Sequence, residues 1–106
     1  PAVMKYNLEK CKERYGELLL PLAGPEVYAA TPAELRAQKT IDTLVALRQQ
    51  LADLTGLPTT LSQTGRVKPE QFDEVASTAL NDGAIIVNPA EANHEEIVGI
   101  LREVWA

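Results

Sequence analysis

Apolar residues in the middle of the chain fall at helical intervals. Ile41, Leu44, Val45, Leu47, Leu51 and Leu54 recur at steps of three and four, the period of an α-helix with one side turned inward. Ahead of them, Thr31-Pro32-Ala33-Glu34 has the form of a helix start. A threonine can cap, a proline suits the first turn where its missing N–H costs nothing, and a glutamate can return a bond to the cap. Gly56 follows the stripe where a left-handed residue closes a helix. The pattern predicts one long helix over 32–55.

Three further stretches repeat the logic. Pro69 opens a helix whose stripe is Phe72, Val75, Ala76, Ala79 and Leu80, and Asn81-Asp82-Gly83 ends it with a glycine free to take positive φ. Asn93 and Glu96 form a capping box for a last helix carrying Ile97, Ile100, Leu101 and Val104 on one face. Leu8 to Leu20 reads as a helix that Pro21 stops, Ala2 to Tyr6 as the tail of another, and Pro21 to Ala30 as a loop. Leu57 to Ser62 reads as an extended link with a short turn. With no alternating strand pattern and no repeat, the expected fold class is all-α, a helical bundle forming a single domain over 1–106.

Composition narrows the partners. The first 52 residues hold seven Lys/Arg against six Asp/Glu, and the remainder three against nine, so the acidity is concentrated in the second half. That half repels a nucleic acid, and the first offers no basic stripe with interleaved aromatics. The longest apolar run, Leu18 to Ala23, is far short of the roughly 18 residues of a membrane span and contains Pro21. No nucleic-acid or membrane partner is expected. The opening Pro1 to Asn7 lacks the pattern of a secretory leader, and the lone thiol of Cys11 suits a reducing compartment, so a cytoplasmic location is expected.

Reactive groups are few. His94 sits beside a cap and reads as a solvated surface residue. Cys11, among Lys10, Lys12 and Arg14, could have its thiolate favoured by nearby positive charge, but no base accompanies it. Asp73-Glu74 and Glu95-Glu96 are adjacent in sequence, and adjacent helical residues point about 100° apart. Tyr6, Tyr15, Phe72 and Trp105 are too scattered to stack a ligand. No catalytic, cofactor-binding or metal-ligating residue is assigned on these grounds.

Several segments together resemble one family. Pro-Ala-Val-Met-Lys-Tyr-Asn at 1–7, Glu-Arg-Tyr at 13–15, Gly-Leu-Pro-Thr-Thr-Leu at 56–61, Ala-Leu-Asn-Asp-Gly-Ala-Ile-Ile-Val-Asn-Pro at 79–89 and Glu-Glu-Ile-Val-Gly-Ile-Leu-Arg-Glu-Val-Trp at 95–105 look like the C-terminal part of iron-containing (group III) alcohol dehydrogenases. Residues 16–40 match least, and Pro21 to Ala30 reads as an insertion or local variant.

The resemblance implies a parent enzyme with an α/β dinucleotide-binding domain ahead of an all-helical domain. In it, NAD(P) and a divalent metal, iron or zinc, meet in the cleft, and all the metal ligands lie upstream of the position matching Pro1. The chain would then bind no cofactor and be inactive alone. Ala84 and Ile85 would be its contribution, as a wall of the substrate pocket. Its partner would be the upstream part of the same polypeptide, and the isolated chain would self-associate through exposed apolar helix faces. The other readings are a free-standing helical module that binds another polypeptide, or a relative on the same scaffold resembling glycerol dehydrogenase or dehydroquinate synthase.

Overall fold

A computed structural model describes all 106 residues, Pro1–Ala106. The protein is all-α: α1 (Ala2–Tyr6), α2 (Leu8–Ala23), α3 (Pro25–Ala30), α4 (Arg36–Thr55), α5 (Leu61–Thr64), α6 (Phe72–Leu80) and α7 (His94–Glu103), with 3-10 turns at Ala33–Leu35, Pro69–Gln71 and Gly83–Val87. It divides into two compact units, Val3–Leu57 and Pro58–Ala106, each with its own core.

In the first unit α1 and α2 meet at Asn7, which keeps helical angles and carries the ladder through, its N–H donating to the Val3 carbonyl and its own carbonyl accepting from Cys11. Pro21 does not stop α2 as expected; the helix runs on to Ala23. The ring falls in the last turn, where it forgoes the bond an N–H would have given the Glu17 carbonyl, and termination is left to Gly24 at φ 89°. That glycine turns the chain directly into a second short helix, with Pro25 at its first position. The loop expected over Pro21 to Ala30 is therefore largely helical.

The long helix also begins later than expected. Thr31 does not cap α4: its Oγ1 donates to the Val27 carbonyl (2.7 Å), closing α3 instead. Pro32 stays extended, a 3-10 turn intervenes, and α4 starts at Arg36 with no side-chain cap. Arg36 explains the choice. Its Nε donates to the carbonyls of Thr31 (3.0 Å) and Tyr28 (3.3 Å), and its guanidinium lies 3.9 Å from the centre of the Tyr28 ring, pinning α3 to the head of α4. At the other end Gly56 adopts the expected left-handed conformation (φ 72°).

The core of this unit is small. Gly16 and Leu19 of α2 pack against Ala37, Thr40 and Ile41 of α4. The Thr40 hydroxyl, fully buried, lies 2.6 Å from the Tyr15 carbonyl across the interface and 3.0 Å from that of Arg36. A polar side chain is tolerated there because it finds a partner on the facing helix.

The second unit is built on α6 and α7, whose Phe72, Ala76, Ile97 and Val98 are buried together, with Val67, Leu80, Ile85, Leu101 and Trp105 packed around them. Trp105 meets Phe72 edge to face at 5.7 Å. The Asn93 capping box forms as expected, Asn93 Oδ1 accepting from the Glu96 N–H (3.0 Å) and Glu96 Oε2 from the Asn93 N–H (2.8 Å). The short helix α5 lies where a link was expected. Its Leu61 and Ser62 N–H groups donate to the carbonyls of Val104 and Trp105 (2.9 and 3.1 Å), so the free donors of one helix start satisfy the free acceptors of another helix end.

Candidate functional site

The segment after α6 carries the sequence-predicted positions Ala84 and Ile85. Gly83 was expected at positive φ and is not; only Gly24, Gly56 and Gly65 are. The end of α6 is instead handled by polar side chains. Asn81 keeps helical angles while its Nδ2 donates to the Ser77 carbonyl (3.0 Å), and Asp82 turns the chain, its Oδ1 accepting from the Ala84 N–H (2.8 Å). That carboxylate caps the 3-10 turn Gly83–Val87, which closes with Asn88 N–H donating to the Ile85 carbonyl (3.2 Å); Asn88 Nδ2 then donates to the Ala90 carbonyl (2.5 Å). The segment after α6 is thus an ordered tip, bracketed by Asp82 and Asn88.

Within the tip the residues part company. Ile85 packs against the Phe72–Ile97 core and anchors the turn, whereas Ala84 is exposed. Ile86 and Val87, which the sequence reading did not single out, stand 84% and 80% exposed. Their signal was available: Ile-Ile-Val after a helix-ending Asn-Asp-Gly is too short for a strand, so a 3-10 turn cannot bury all three. Chemically the tip presents methyl groups and one carboxylate already engaged by a backbone N–H. It can line a pocket; it holds no group placed to move a proton or form a bond.

Other reactive residues lie elsewhere. His94 is not the free surface residue expected: its Nε2 lies 3.0 Å from the Asp73 carbonyl, which can only accept, and 4.0 Å from Asp73 Oδ1, so it ties the first turn of α7 to α6. Cys11 is half-buried beside Tyr15. Burial, then the hydrogen bond and charge of the Cys11 side chain, push the Tyr15 phenol above its ordinary range, with Asn7 opposing. In the first unit an open groove of about 480 Å³ runs between α2 and the Tyr28–Arg36 clasp, with Lys12, Glu13, Glu17 and Glu34 on its walls. No three His, Cys, Asp or Glu side chains converge as metal ligands would, and the side chains present do not fit an iron centre. No helix is long and apolar enough to cross a membrane.

The chain is thus all-helical and carries an ordered apolar tip after α6. The family profile described as the Fe-containing alcohol dehydrogenase family, C-terminal, matches residues 1–105, and the chain belongs to that family. Among curated relatives, 1,3-propanediol dehydrogenase of Klebsiella pneumoniae is 30% identical over 105 residues, covering 99% of this chain and 25% of its own length. Lactaldehyde reductase of Escherichia coli K12 is 30% identical over 105 residues, 99% of this chain and 26% of its own. Alcohol dehydrogenase 4 of Saccharomyces cerevisiae is 26% identical over 107 residues, again 99% and 25%. The chain spans about a quarter of the length of the curated relatives it matches. No solved structure matches significantly.

Proposed function

We propose that these residues serve as the C-terminal helical part of an NAD(P)-dependent, metal-dependent oxidoreductase that interconverts an alcohol and its aldehyde, in the cytoplasm. The observation that carries the reading is the family match across 1–105, joined by relatives whose names all describe an alcohol–carbonyl pair. The coenzyme would supply hydride exchange and the metal, iron or zinc, would be held by residues outside this chain. The part of these 106 residues is mechanical. The Asp82-capped turn holds an apolar tip, Ala84 with Ile86 and Val87, as a wall against the carbon chain of the alcohol, and α6 and α7 hold the tip in place.

The test is reduction of NAD(P) followed by absorbance with a panel of alcohols on the natural gene product, beside the 106-residue chain alone. Turnover by the former and none by the latter is expected, with Ala84→Phe raising KM more than it lowers kcat. A natural product of only 11.6 kDa without turnover would favour the free-standing module.

A further inference from the structure

The tip after α6 offers almost nothing to a hydrogen-bonding ligand. From Gly83 to Val87 no side chain can give or take a hydrogen bond. The polar side chains at its two ends are engaged with backbone, Asp82 Oδ1 accepting from the Ala84 N–H and Asn88 Nδ2 donating to the Ala90 carbonyl. The turn's own backbone is engaged as well: the Ile85 N–H donates to the Asp82 carbonyl and the Asn88 N–H to that of Ile85 (both 3.2 Å). Ile85 turns inward on the core, which leaves Ala84, Ile86 and Val87 as the outward surface. Ile86 and Val87 are branched at Cβ, so each keeps few rotamers and presents its methyl groups in a nearly fixed place.

We infer that Ile86 and Val87 make the oxidoreductase select monohydric alcohols with an apolar carbon chain over diols of the same length. The inference rests on the proposed function, which sets the tip against the carbon chain of the alcohol, and it names the substrate class that such a wall admits. Methylene groups laid on Ile86 and Val87 leave water for a surface that needs no hydrogen bond from them. A second hydroxyl on the same chain loses its water there and finds no side chain between 83 and 87 to replace it. An added hydroxyl in an apolar site is disfavoured by about tenfold to a hundredfold and no more. The wall therefore grades the two classes and does not exclude diols outright.

The experiment compares kcat/KM on the natural gene product, with NAD and with NADP, for two pairs that differ by one hydroxyl: 1-propanol beside 1,3-propanediol, and 1-butanol beside 1,4-butanediol. Each alcohol should exceed its diol at least about tenfold. Val87→Thr exchanges one methyl for a hydroxyl of similar size, and Ile86→Thr places a hydroxyl on the neighbouring side chain. Either should narrow the ratio at least about threefold, through better use of the diol. Val87→Ala, which removes apolar surface and adds no hydroxyl, should weaken the alcohols without helping the diols. All three sites are exposed in this chain, so unchanged unfolding midpoints certify the variants. Diols used as well as the alcohols, or better, overturn the inference while the proposed function stands. An unchanged ratio in both threonine variants overturns it too, and assigns the two side chains to packing against other protein. Absence of turnover across the wider panel of alcohols removes the proposed function and the inference with it.

Discussion

Leu19 is the most sensitive point of the first unit. It is completely buried, and Leu19→Ala removes three carbon atoms from the α2–α4 contact. At about 0.8 kcal/mol per buried carbon the transfer loss is about 2.4 kcal/mol, and the cavity left behind raises it to about 3–4 kcal/mol. Little can collapse into the gap. The facing residues are Ala37 and Ile41, on a helix fixed in place by the Thr40–Tyr15 bond and the Arg36 clasp. Against the roughly 5–15 kcal/mol of an ordinary domain this is a large share. The assay is urea unfolding followed by circular dichroism at the helix band, with Leu18→Ala as the neighbour pointing outward, 48% exposed. Leu19→Ala should lower the midpoint strongly at unchanged slope, and Leu18→Ala should cost under about 1 kcal/mol. Equal losses for the two, or a loss below about 1 kcal/mol for Leu19→Ala, would refute the packing described for α2 and α4.

Two smaller effects follow from the same geometry. Asn93→Ala removes the acceptor of the α7 capping box and should cost about 1 kcal/mol in the unfolding of the second unit, with Asn93→Asp retaining most of it. The raised ionisation of Tyr15 gives a pH signature. The folded phenol holds its proton above the value near 10 of a free tyrosine, so its contribution is complete below about pH 10 and is lost as pH rises through the folded value. Denaturation midpoints should fall at alkaline pH, and Tyr15→Phe should flatten that fall.

Legibility in the sequence tracked how local each signal was. Asn93 with Glu96, Pro69 at a helix start and Gly56 at a helix end were readable because cap chemistry is settled within four residues. Thr31 was not, since a threonine hydroxyl can open one helix or close the one before it. The choice fell to Arg36 and Tyr28, which meet only when α3 has already folded back. Pro21 misled because the helix absorbs the single ladder bond that the ring removes and is stopped three residues later by Gly24. At the tip, Ala84 and Ile85 came from family likeness. Which of them faces out depends on the Phe72–Ile97 core, a contact across the second unit that no periodicity in residues 83–87 encodes.

The Trp105–Phe72 contact has a practical side. The chain contains one tryptophan, and it sits in the second unit against the first residue of α6. Intrinsic emission excited at the indole band therefore watches α6 and α7 come apart and has no direct view of the packing around Leu19. A fluorescence melt will look cooperative and complete even when half of the molecule has gone unobserved, so an optical survey of mutants in α2 or α4 calls for an indole planted there first.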